Sequence, residues 1–207
     1  MKKYGGLGIL LFIIFCVSLL ISCKAKAIIP SKSSPELFKV DRSSQENLLV
    51  QFYKAETTKS PEVLKEFFYL KAADTSIIKL KVKCFNINKI VLNKVIKSEG
   101  KGNFAVVSSS FSTYFTGIEM PRRNLEIIKF IKTSEGWSII ANSEDLKDTS
   151  EEDKNWIMNT ENQQKIDIWN SSMASEILDN QSIFDEDNKV FMEKASLTFK
   201  ETINSKQ

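Results

Sequence analysis

Apolar and polar positions divide the chain into stretches of different period. Tyr4 to Ser22 carries no charge, and its apolar centre stops at Cys23. Residues 24–43 then show two prolines, several serines and no clear period, which reads as a tether. Helical spacing begins next. Ser43 and Glu46 have the spacing of a capping box, and Leu48, Leu49 and Phe52 cluster on one face with Ala55 close by. Ser60-Pro61-Glu62 predicts a restart, with Ser60 capping and Pro61 in the first helical position. Val63, Leu64, Phe67 and Phe68 form its apolar side.

Alternation follows. Ile78, Leu80, Val82 and Cys84 alternate with Lys79, Lys81 and Lys83, which predicts a half-buried strand with Cys84 on its apolar face. The lysines suit a solvated strand face that guards an edge; anion binding is the alternative. Two β-rich runs flank Glu99-Gly100-Lys101-Gly102-Asn103 and predict a hairpin. A turn over residues 117–124 leads to a second hairpin, turning at Ser134-Glu135-Gly136. On its first strand Leu125, Ile127 and Ile131 lie on one face and Ile128 and Phe130 on the other. Both sheet faces therefore require cover.

After Asp145 the helical period returns. Ser150 followed by Glu151, Glu152 and Asp153 marks a helix start, since acids suit the positive end of the helix dipole. Ile166, Trp169, Met173 and Ile177 recur at helical spacing, and so do Phe191, Ala195, Phe199 and Ile203. Such stripes ordinarily pack on their own domain and can cover the second sheet face; a partner groove is the alternative.

The leader decides location. Lys2-Lys3 followed by an apolar centre is the layout of a secretory signal. The uncharged run also approaches the roughly 20 residues of a membrane-spanning helix, so an uncleaved anchor competes. Leu20-Ile21-Ser22-Cys23 resembles a bacterial lipobox. Small Ser22 fits beside the scissile bond, and the Cys23 thiol is the acyl acceptor. Cys16 follows bulky Phe15 and does not fit. The expected organisation is a signal peptide over 1–22, lipidated Cys23 and a tether over 23–43, an α+β domain over 44–145, and a helical extension over 146–207.

Composition then narrows the chemistry. The 207 residues carry 29 basic and 26 acidic side chains. Loss of Lys2 and Lys3 with the leader would leave 27 against 26, so no electrostatic case for nucleic acid remains. The chain has no histidine, which removes His-based acid–base chemistry, Ser/His and Cys/His nucleophile pairs and His metal ligands. Cys84 is the only cysteine after Cys23, too few for an internal disulfide or a Cys-based zinc site. Asp185, Glu186, Asp187 and Asn188 lack the central Gly and terminal Glu of a calcium loop, and acids at a helix N-terminus explain them better. Strand alternation splits the hydroxyls of Ser108, Ser109, Ser110 and Ser112 between two faces, so they form no nucleophile motif. Arg122-Arg123, read as turn residues, can grip a carboxylate or phosphate.

Two amphipathic helices lead a run of antiparallel strands. The last hairpin reads Ile127-Ile128-Lys129-Phe130-Ile131-Lys132, then Glu135-Gly136-Trp137-Ser138-Ile139. This resembles the end of a nuclear transport factor 2-like domain, and the resemblance spans roughly Ser44 to Asp145. It implies an α+β fold in which N-terminal helices pack in a curved, cone-like antiparallel sheet, here followed by C-terminal helices. Some members of that family are enzymes with polar or acidic pocket residues, often with His. No matching catalytic set is present here.

The expectation is therefore a bacterial cell-envelope lipoprotein, with no cofactor, metal or catalytic residues. It would be held to a membrane by acyl chains on Cys23, and would display a binding or assembly module to a protein partner or a second copy. An outer-membrane or cell-surface position is favoured, with a periplasmic face as the alternative. A small-molecule or enzymatic pocket in the same cone is the alternative function.

Overall fold

The computed structural model describes residues 38–71 and 73–205; Ser22, Cys23 and the leader lie outside them. Lys39–Gln207 forms one compact unit, so the helices after Asp145 share a body with the sheet. The last residues of the expected tether are built into it. Asp41 N–H donates to Gln51 Oε1 at 2.9 Å, and the Arg42 guanidinium donates to the Trp137 carbonyl at 2.9 Å and to Ser138 Oγ at 2.6 Å.

Helix α1 (Gln45–Thr58) is capped by Ser44, which accepts from Asn47 N–H, one residue later than the Ser43–Glu46 box. It buries Leu48, Leu49, Phe52, Tyr53 and Ala55. Helix α2 (Pro61–Lys65) starts at Pro61 as its sequence requires, but lasts little more than one turn. Phe67 and Phe68 then run beside the sheet edge and are buried there.

The strand expected over Ile78–Cys84 is a helix, α3 (Thr75–Cys84). Asp74 caps it, accepting from Ser76 N–H. The alternation misleads because α3 is gripped from several sides, by α1, α2 and the first strand. Ile77, Ile78, Leu80, Val82 and Cys84 are all half-buried, so no clean helical stripe marks the sequence. Cys84 is thus a half-buried helical residue rather than a core strand residue.

Four antiparallel strands follow in the order β1-β2-β3-β4: β1 (Ile87–Lys101), β2 (Phe104–Phe115), β3 (Arg122–Thr133) and β4 (Gly136–Ile140). Both expected hairpins form. Gly102 takes φ 58° in the two-residue turn between β1 and β2, the sign a type II′ turn needs at its first central position. Edge strand β1 has three register shifts against β2 and exposes Lys89 and Lys94, features that blunt an edge against further pairing. The β4 edge is covered by chain: Trp137 N–H donates to the Arg42 carbonyl, Ile139 N–H to that of Phe67, and Tyr69 N–H to that of Ile139.

A turn of 3₁₀ helix (Ser143–Leu146) leads to α4 (Glu151–Trp169), capped by Ser150 as its sequence requires, then α5 (Ser172–Asp187) and α6 (Lys189–Asn204). The sheet has helices on both sides. Tyr53 of α1 stacks on Phe111 of β2 on the inner face, ring centroids 5.0 Å apart. On the outer face Ile157 of α4 packs with Val106, Ile140 and Leu146. Because β4 pairs only with Lys129–Thr133, the start of β3 has no strand on that side. Helix α5 fills the gap: Asn180 Oδ1 accepts from Arg123 N–H at 2.8 Å, and Gln181 Nε2 donates to the Arg123 carbonyl at 2.8 Å.

Three further expectations change. The stripe Ile166–Trp169–Met173–Ile177 is broken at Asn170-Ser171, where α4 ends. Ile166 and Trp169 are 53% and 56% exposed, while Ile177 is buried on α5. Arg122 and Arg123 open β3 rather than sit in a turn. Asp185, Glu186 and Asp187 end α5 instead of starting a helix. The Phe191–Ala195–Phe199–Ile203 stripe is an inward side of α6: Ala195 is buried, Phe191 meets Phe115, and Phe199 meets Phe85. Among the described residues no helix is long and apolar enough to cross a membrane.

Candidate functional site

Polar and ionisable groups gather on the inner face of the sheet, under α1 and α3. Strand alternation places Arg122, Asn124, Glu126, Ile128 and Phe130 in one row of β3. The register sets Thr113 opposite Arg122, Phe111 opposite Asn124 and Ser109 opposite Glu126. Helix α1 brings Tyr53 over this row. Its hydroxyl donates to Glu126 Oε2 at 2.8 Å and lies 3.3 Å from Ser109 Oγ. One turn further on, Glu56 is half-buried on the same helix.

Helix α3 closes over the cluster with two lysines. Lys79 donates to the Glu56 carbonyl at 2.7 Å, placing an ammonium at the negative end of α1. Lys81 is half-buried within electrostatic reach of both Glu56 and Glu126. At the far end of the row Arg122 grips Asp185 of α5 with two hydrogen bonds, Nε at 2.9 Å and Nη2 at 3.0 Å. Its Nη1 donates to Asn124 Oδ1 at 2.5 Å, and Asn124 Nδ2 donates to Thr113 Oγ1 at 3.1 Å.

Burial dominates the electrostatics. It pushes the Glu56 carboxyl up to about 8; the Glu126 charge adds to this, while the Lys81 and Lys79 ammoniums oppose it. Burial also raises Glu126, against the Tyr53 hydrogen bond and the Lys81 charge. It lowers Lys81, against the pull of the two carboxylates, and it lowers Lys79. Tyr53 stands well above the ordinary phenol value, from burial and the neighbouring Glu126 charge. Burial thus favours the neutral form of Glu56 near pH 7, shifts Glu126 in the same direction, and sets both beside Tyr53 and Lys81.

Of the residues singled out from sequence, Arg122 joins this cluster and Arg123 pairs with Glu176, both holding carboxylates of their own chain. Asp185 is the partner of Arg122; among the described residues no group of three or more His, Cys, Asp or Glu side chains is placed to hold a metal ion. Ser109 meets Tyr53, and Ser112 exchanges hydrogen bonds with Asn93, at 3.0 and 3.2 Å. Tyr53, Glu56, Lys81 and Glu126 were missed. One signal was present: alternation puts Glu126 on the face of Ile128 and Phe130, an acid in an apolar row. Lys81 was hidden by the mistaken strand.

Two hollows open elsewhere. One of about 580 Å³ lies beside Arg42 and Gly136, and one of about 320 Å³ lies between Tyr69 and the loop before α4. The chain matches no protein-family model and no curated protein.

Proposed function

We propose that this chain is a lipid-anchored protein of the bacterial cell envelope whose folded body acts as a non-enzymatic binding or assembly module. Anchoring rests on Leu20-Ile21-Ser22-Cys23, with cleavage between Ser22 and Cys23 and acyl chains on the cysteine. More than one chain gives stable attachment. The body is read as a cone-like, nuclear transport factor 2-like domain. In support stand the helices α1, α2 and α3 leading the sheet, the antiparallel order β1-β2-β3-β4, α1 lying over the inner face, and the Glu135-Gly136-Trp137 hairpin.

Tyr53 is the observation that carries binding over catalysis. It is fully buried and occupies the inner face, and its hydroxyl is already used by Glu126 and Ser109. Recognition then falls to the outer surface, where Met158, Trp169, Ile183 and Val190 are more than half exposed. The partner is a protein or a second copy, presented from the outer membrane or cell surface. Metabolic labelling with palmitate tests the anchor: wild type takes up label and Cys23→Ala does not. Label retained by the variant, or absent from wild type, removes the reading.

A small-molecule pocket is the second reading, and one observation favours it: Glu56 and Glu126 share the inner face with Lys81 and carry raised pKa values. Its test is Tyr53→Ala, which should open room beside them. Saturable uptake of an environment-sensitive apolar dye by wild type, altered in the variant, would favour this reading over the first.

A further inference from the structure

Helix α4 has two unlike sides. Ile157, Thr160 and Gln164 are buried, and Ile157 and Gln164 meet Val106 of β2. The opposite side carries Asn155, Met158, Asn162, Ile166 and Trp169, all of them exposed. Met158, Ile166 and Trp169 are 59%, 53% and 56% exposed, large apolar side chains left at the surface. At 3.6 residues per turn these five positions fall within about 80° of one another around the helix. None is charged, although Glu151, Glu152, Lys165 and Asp167 are exposed on the same helix.

The stripe is symmetric about Asn162. Met158 and Ile166 stand four residues before and after it, and Asn155 and Trp169 seven before and after. A two-fold axis at Asn162 lays α4 antiparallel on α4 of a second copy. Met158 of each copy then lies beside Ile166 of the other, and Asn155 beside Trp169. Asn162 meets its own counterpart, and a carboxamide is both donor and acceptor, so the pair can satisfy itself. A polar residue at the centre of an apolar seam fixes its register. No like charges meet along the seam, which would otherwise oppose self-association.

We propose that this stripe of α4 is an interface to a second copy of the same chain, helix antiparallel to helix, with Asn162 on the two-fold axis. The 19 residues of α4 span about 28 Å. A strip of that length and about 10 Å wide is smaller than the roughly 800 Å² per partner of a standard interface. Association is therefore weak between free chains. Anchoring both copies to one membrane raises their effective concentration and favours the pair. The inference rests on the binding-or-assembly reading above and gives it a surface and a partner.

Sedimentation equilibrium and oxidative crosslinking of the full chain in detergent, at rising protein concentration, test it. Wild type is expected to show a concentration-dependent monomer–dimer equilibrium. Asn162→Cys should crosslink into dimers about tenfold faster than Gln163→Cys, whose position is exposed but about 100° off the stripe. Ile166→Lys should weaken the dimer about tenfold or more at an unchanged melting temperature, since Ile166 is exposed in the single chain. Met158→Asp/Ile166→Lys sets an acid beside each lysine across the axis only in this register, and should recover most of the affinity. A chain that stays monomeric at every concentration, equal crosslinking at the two positions, a dimer indifferent to Ile166→Lys, or no recovery in the double variant overturns the inference. Palmitate labelling of Cys23 is independent of these results, so failure here is separable from failure of the anchored-module reading.

Discussion

The carbonyl oxygen of Arg42 lies 2.5 Å from the point where a Cβ on Gly136 would stand. Gly136 has φ 105°, a region L side chains avoid, and the Arg42 Cβ is 2.7 Å from the same point. The neighbouring Trp137 N–H donates to that carbonyl at 3.0 Å, and the Arg42 guanidinium returns bonds to Trp137, Ser138 and the Glu66 carbonyl. The segment entering the domain is thereby locked to the second hairpin. Gly136→Ala meets backbone on a fixed strand, so it should cost about 2–4 kcal/mol of stability, from a strained dihedral plus a forced displacement. Urea unfolding measures it. A loss under about 0.5 kcal/mol, the range of neutral surface changes, would show that the junction yields.

Tyr53 and Glu126 make the second test. The phenol is fully buried and its hydroxyl donates to Glu126 Oε2 at 2.8 Å. Tyr53→Phe keeps the stacking on Phe111 but leaves the carboxyl short of a donor, so a loss of about 1–3 kcal/mol is expected. Because that hydrogen bond holds the Glu126 pKa down, its removal should let Glu126 titrate at higher pH still. Carbon-13 NMR of the labelled carboxyl reads this directly. An unchanged titration would mean that the hydroxyl does not favour the ionised form.

Arg122 and Asp185 couple β3 to the end of α5. Their side chains are 15% and 28% exposed, and the contact is bidentate. A double-mutant cycle of Arg122→Ala and Asp185→Ala should give a coupling energy of about 1–2 kcal/mol, well above an exposed pair. Coupling under about 0.3 kcal/mol would place the pair with ordinary surface bridges.

What the sequence disclosed divides along physical lines. Ser150 and Pro61 mark helix starts through their own backbone chemistry, and both lie where expected. The strand pairs flanking Gly102 and Gly136 were legible because period two and the turn glycines agree. The two-faced apolar strand required cover on both sides of the sheet, and helices supply it. Residues 75–84 failed because a helix covered on several sides loses its stripe, and Ile78-Lys79-Leu80-Lys81-Val82 then imitates a strand. Asp185 misled because a run of acids suits a helix start, whereas its own role is to meet Arg122 across 63 residues of chain. The inner-face cluster shares that character: Tyr53 lies 73 residues from Glu126, and only the folded register brings them together.

Glu56 supplies the pH test. Its carboxyl has an ordinary value of 4.5 in the unfolded chain and is held at about 8 in the fold, mainly by burial. The groups facing it are Lys79 and Lys81 from α3 and Glu126 from β3. Between those two pH values the folded state keeps a proton that the unfolded state has released. Its contribution is therefore complete below pH 4.5 and is lost as pH rises through about 8, at up to about 1.4 kcal/mol per pH unit for one proton. Glu126 is raised as well and adds in the same direction. Lys79 and Lys81 are lowered, so stability rises with pH between their folded values and 10.5, which partly offsets the loss on the alkaline side. Urea unfolding at pH 5, 6, 7 and 8 should show wild type weakening across the series. Glu56→Gln, neutral at every pH, should show a shallower slope and exceed wild type at pH 8. Parallel slopes in the two proteins would mean that Glu56 ionises as freely in the fold as in water, and the dry cluster beneath α3 would lose its electrostatic basis.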